Sequence, residues 1–106
     1  MGNECWHHEM IPGQKIGYSV IRNCTISNAG VCGIAGLHAV HMLIEDNRIE
    51  ETGWQKMELS WEAGAIKLHN SVNSLIRRNL FRNTFRADHL WMDCGNENNR
   101  ITHNLF

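Results

Sequence analysis

Apolar and polar positions along this 106-residue chain fall into short alternating runs instead of helical stripes. Four segments share one pattern: VIRNCTI (20–26), LIEDNRI (43–49), LIRRNLF (75–81) and RITHNLF (100–106). Each reads Ile-x-x-Asn-x-Ile/Phe. The leading residue is Ile21, Ile44, Ile76 or Ile101, and the Asn is Asn47, Asn79 or Asn104, with Cys24 in its place in the first copy. The leading Ile residues are 23, 32 and 25 positions apart.

A second element precedes three of these copies: GIAGL (33–37), AIKLH (65–69) and HLWMD (89–93). Side chains on a strand alternate between its two faces. Ile34 and Gly36, Ile66 and Leu68, and Leu90 and Met92 therefore share one side. Ala35 and Leu37, Lys67 and His69, and Trp91 and Asp93 share the other.

Short strands, punctuated by Gly, Asn and Ser at a period near 25 residues, predict a right-handed parallel β-helix. The fold class is all-β, a solenoid of about four coils, with coils about 4.8 Å apart. The whole chain, 1–106, is expected to be a single partial domain, with an irregular N-terminal segment over 1–17. The recurring Asn is expected to form an internal amide ladder, as in other stacked β structures; turn preference alone is the blander account. The longest interval contains ETGWQKMELSWEAG, which reads as a loop inserted over 51–62 and is the one candidate for a helical turn. Long loops on solenoids often line a binding groove.

Stacking aligns the outward residues of the second strands. Leu37, His69 and Asp93 fall in one column, and Ala35, Lys67 and Trp91 in the next. His69 and Asp93 are then about 5 Å apart on adjacent coils. Aromatic rings with polar neighbours suit a sugar ring and its hydroxyls. Trp54 and Trp61 on the inserted loop are positioned by sequence to wall the same groove. The plainer alternative is a solvated sheet face carrying a His–Asp pair.

Composition narrows the partners. The formal net charge is -1, which supplies no general attraction for nucleic acid or an anionic membrane. No apolar run approaches the roughly 18 residues of a membrane span. The N-terminus MGNECWHHEM has no signal-peptide apolar core, and the compartment stays open. Cys5, Cys24, Cys32 and Cys94 match no zinc spacing; they read as small core fillers, with pairing of Cys24 and Cys32 as the alternative. No cofactor and no metal is expected.

GYSVIRNCTISNAGVCGIAGL, LIEDNRIEE, WEAGAIKLHNSVNSLIRRNLFR and LWMDCGNENNRITHNLF together resemble the β-helix of glycoside hydrolase family 120, the β-xylosidases. The likeness runs from about Met10 to the end. AIKLHN and WMDCGNENNRITHNLF carry most of it, since β-helix repeats alone are shared by many proteins. The resemblance implies a retaining glycosidase in which Asp93 is the nucleophile. It implies an acid/base Glu one coil further on, beyond Phe106; Glu97, four residues after Asp93, does not fit that role. Such a mechanism wants two carboxyls about 5–5.5 Å apart, close to the coil spacing. His69, Trp91, Lys67, Glu62 and Trp61 are the candidate substrate contacts, with Lys67 helping to keep Asp93 ionised. Cys24, Cys94 and the turn 95–99 depart from the family pattern.

On this reading the chain is a piece of a larger enzyme, inactive alone, with an oligosaccharide substrate and the rest of the parent β-helix as partners. Three other functions compete. A polysaccharide lyase would use Lys67, Arg86 and Asp93, though a cluster of acidic Ca²⁺ ligands is missing. A non-catalytic carbohydrate-binding or structural module is the second. Metal binding through Cys5, His7, His8 and Glu9, or through His38 and His41, is the third; on a strand, His38 and His41 would face opposite ways.

Overall fold

A computed structural model describes residues 17–55 and 62–106. Ten strands follow one another without a helix among the described residues: β1 (Val20–Arg22), β2 (Thr25–Ala29), β3 (Cys32–Leu37), β4 (Leu43–Glu45), β5 (Arg48–Thr52), β6 (Gly64–His69), β7 (Leu75–Arg77), β8 (Leu80–Thr84), β9 (Leu90–Asp93) and β10 (Arg100–Thr102). They form three parallel sheets with the orders β1-β4-β7-β10 (sheet A), β2-β5-β8 (sheet B) and β3-β6-β9 (sheet C). Each run of three strands is one coil of a right-handed parallel β-helix. Three coils are complete and β10 opens a fourth.

The register stacks like on like. Ile21, Ile44, Ile76 and Ile101 form one inward column. Ile26, Ile49 and Phe81 form a second, and Ile34, Ile66 and Leu90 a third. Ile44, Ile49, Ile66, Leu68 and Ile76 are completely buried, so the core lies along the axis of the middle coils.

The repeated Asn does form a ladder. It sits at the corner between sheets A and B, just after a residue in left-handed backbone: Asp46, Arg78 or His103, with φ of 56, 52 and 56°. Asn47 Nδ2 donates to Asn79 Oδ1 at 3.0 Å, and Asn79 Nδ2 donates to Asn104 Oδ1 at 3.0 Å. The Oδ1 atoms of Asn47, Asn79 and Asn104 accept the backbone N–H groups of Cys24, Asn47 and Asn79 respectively. The corner backbone, which neither sheet can pair, is thus satisfied by the coil beyond it.

The long interval differs in detail from its sequence reading. β5 continues through Thr52, in register with Ala29 and Thr84, so Glu51 and Thr52 are sheet and not loop. The extra residues lie between Thr52 and Gly64, because Gly64 pairs with Cys32 while only two residues separate Ala29 from Cys32. The candidate helical turn, with Trp61, lies outside the described residues, as do most of the segment 1–17 and Cys5, His7, His8 and Glu9. His38 and His41 occupy the corner after β3 in left-handed backbone, φ 52 and 50°, not a strand.

Candidate functional site

Sheet C carries the polar face. Its register pairs Ala35 with Lys67 and Leu37 with His69 on one side, and Lys67 with Trp91 and His69 with Asp93 on the other. The period-two alternation of AIKLH and LWMD therefore brings four chemically active side chains onto two adjacent coils. Glu62 joins them from the residue pair leading into β6, where its backbone is left-handed with φ 54°.

Lys67 is the hub. Its Nζ lies 3.2 Å from Asp93 Oδ2, 3.3 Å from Glu62 Oε1 and 3.2 Å from the centroid of the Trp91 ring. It is only 2% exposed, although its strand position points away from the core. The neighbours cover it. A cation removed from water needs such partners, and two carboxylates with an aromatic face supply them. His69 makes the second bridge. Its Nε2 is 3.1 Å from Glu62 Oε2, and its Nδ1 is 3.8 Å from Asp93 Oδ2, an electrostatic contact beyond hydrogen-bonding distance.

Sharing Lys67 limits how far apart the two carboxylates lie. Their nearer oxygens are separated by at most about 6.5 Å, the two contacts laid end to end. The carboxyl of Asp93 is partly open and that of Glu62 half open. The arrangement can hold a polar ligand against an anion whose charge is already balanced from behind.

The geometry changes the part available to Trp91. One face of its ring is taken by the Lys67 ammonium, so a sugar has the other face or the edge to use. Trp54 is half-exposed at the start of the long connection, and Trp61 lies outside the described residues. Glu62, expected from the sequence as a substrate contact, is tied to both Lys67 and His69, links of five and seven residues that the sequence reading did not foresee.

His69, Asp93 and Cys94 offer donor atoms within 4.8 Å of one another. They fit a metal poorly. Cys94 is disulfide-bonded and has no thiolate to give, and Lys67 already places a cation against Asp93. The disulfide also departs from the reading of all four cysteines as core fillers; spacing alone cannot reveal a pairing. Cys24 and Cys32 are free, so the alternative bond between them is absent. Cys32 fits the filler reading, as burial pushes its thiol up and keeps it neutral. Cys24 is exposed on the outermost coil and does not.

The sequence matches the family model described as "Right handed beta helix region" over residues 10–106. No curated protein and no solved structure matches it.

Proposed function

From the premise that the chain belongs to the family of right-handed β-helix regions, we propose that the outer face of sheet C belongs to a retaining glycoside hydrolase acting on β-xylosides or related oligosaccharides. Asp93 is its nucleophile. The observation that carries this reading is the partly open Asp93 carboxylate held against the buried ammonium of Lys67. The ammonium balances the charge of the carboxylate from behind and leaves its open side toward a ligand. The resemblance of WMDCGNENNRITHNLF and AIKLHN to the β-xylosidases supplies the substrate class. Asp93 attacks the anomeric carbon as the bond to the leaving oxygen breaks, that oxygen taking a proton from the acid/base Glu that the resemblance implies; water, giving its proton to the same Glu, later hydrolyses the glycosyl ester. His69 and Glu62 bind sugar hydroxyls, while Trp91 contributes an aromatic wall.

The lyase reading fares worse on a specific ground. Lys67 is buried and engaged by two carboxylates, which suits neither proton abstraction from a sugar nor neutralisation of a uronate. A non-catalytic glycan-binding face draws on the same contacts, because Asp93 is already partnered within the protein.

The test is a burst experiment with 2,4-dinitrophenyl β-xyloside. Dinitrophenolate leaves without protonation, so the first step needs the nucleophile but no general acid. The expected result is a single burst of about one equivalent of phenolate per protein chain, with no turnover after it, and no burst in Asp93→Asn. Binding without release would favour the glycan-binding face, and unsaturated products from a polyuronide would favour the lyase.

A further inference from the structure

A second cluster lies on the outer face of sheet A, away from the residues of the sheet C site. Leu75, Arg77, Arg78, Arg100, Thr102 and His103 line a cavity of about 280 Å³. Stacking creates it: Arg100 sits over Leu75 and Thr102 over Arg77. Two guanidinium groups are fixed from one side by carboxylates of the preceding coil. Glu45 Oε2 accepts from Arg77 Nε at 2.7 Å and from Arg78 Nη2 at 3.0 Å. Asp46 accepts from Arg78 Nε and Nη2 at 2.7 and 2.8 Å.

These ion pairs leave donors unused. The two Nη groups of Arg77 and Nη1 of Arg78 have no protein acceptor among the described residues, and the Arg100 guanidinium has no ion-pair partner among them. Three guanidiniums face two carboxylates, so one positive charge is unbalanced at the cavity. The Thr102 hydroxyl and His103 Nδ1 lie 2.7 Å apart, within hydrogen-bonding distance, at the edge of the cavity. Glu45 is buried and holds two of the arginines in place before any ligand arrives, which lowers the entropy lost on binding.

We propose that this cavity is an oxyanion-binding site, for a phosphate, sulfate or carboxylate group. Planar guanidiniums with free N–H pairs bind such groups through paired, charge-assisted hydrogen bonds. The chain's formal net charge of -1 gives no general attraction for anions, so binding is set by this local arrangement.

The experiment is a proton–nitrogen NMR titration of the full 106-residue chain at constant ionic strength, with inorganic phosphate, galacturonate and galactose in separate arms. Saturable shifts concentrated at Arg77, Arg78, Arg100 and His103 with either anion, and none with galactose, support the site. Tighter binding of phosphate than of galacturonate assigns a phosphate ligand; the reverse assigns the acid group of a saccharide. Arg100→Gln, with circular dichroism unchanged, weakens binding by about tenfold or more, whereas Arg82→Gln, on the outside of sheet B, leaves it unaltered. Shifts that rise linearly without saturating, or an affinity untouched by Arg100→Gln, overturn the proposal.

Discussion

Asn79 is 1% exposed and its side chain makes four hydrogen bonds. Its Oδ1 accepts from the backbone and side chain of Asn47, and its Nδ2 donates to the carbonyl of Ile44 and to Asn104. Asn79→Ala strands buried groups on both neighbouring coils. The expected loss is about 3 kcal/mol, on the scale of one to three for each unsatisfied buried group, read from urea unfolding at 25 °C. A loss below about 1 kcal/mol would reduce the ladder to simple turn preference. Asn79→Asp is expected to do no better, since the carboxylate keeps the acceptors, loses both donors and buries a charge.

Asp46 gives a pH signature. The Arg78 guanidinium, hydrogen-bonded to it in two places, holds its carboxyl below the usual carboxylate range. A depressed folded-state value means that the unfolded chain takes up protons first as the solution is acidified. The contribution is therefore complete above the ordinary aspartate range, near pH 4, and fades as pH falls through the lower folded-state value. Asp46→Asn is expected to flatten that limb of the stability curve while leaving the neutral limb's shape alone. An unchanged slope on the acid side would show that the Asp46–Arg78 pair is not coupled to folding. Both groups are exposed to solvent, so salt is expected to weaken the effect.

At the scale of strands and corners, Gly53 marks where the long connection leaves sheet B. Its φ is +71°, and a Cβ there would lie 2.5 Å from the carbonyl oxygen of Phe85 on the next coil. Gly53→Ala therefore meets both unfavourable backbone and a clash with main chain. The expected cost is about 2 kcal/mol, measured as a fall in Tm; an unchanged Tm would mean that this corner readjusts freely. The strands themselves were legible, because Ile21, Ile44, Ile76 and Ile101 recur at one phase and each is followed three positions later by the ladder residue. A second polar ladder was not. Ser71 N–H donates to Asn96 Oδ1 and Ser74 N–H to Asn99 Oδ1, but Ser and Asn replace each other from coil to coil, so no letter repeats. The sheet C columns followed from alternation. The burial of Lys67 did not, since it depends on Trp91 and Asp93 one coil away and on Glu62 across a corner. Alternation says which way a side chain leaves the strand; it cannot say what folds over it.

The whole molecule uses one device for both stability and chemistry: residues 23 to 32 positions apart become neighbours. Inward, the device stacks Ile on Ile and Asn on Asn. Outward, it sets His69 against Asp93 and Lys67 against Trp91 without any loop having to fold precisely. The same stacking builds the arginine cluster on sheet A. A β-helix therefore offers several independent faces, and the family match over residues 10–106 does not favour one of them. The central functional claim concerns sheet C: that the Asp93 carboxylate acts as a nucleophile toward a sugar. The most direct measurement is covalent trapping with 2,4-dinitrophenyl 2-deoxy-2-fluoro-β-xyloside, followed by mass spectrometry of the proteolysed chain. The expected result is one fluoroxylosyl group on the peptide carrying Asp93, with none on Asp93→Asn. An unlabelled wild-type chain, or a label that persists in Asp93→Asn, would contradict it.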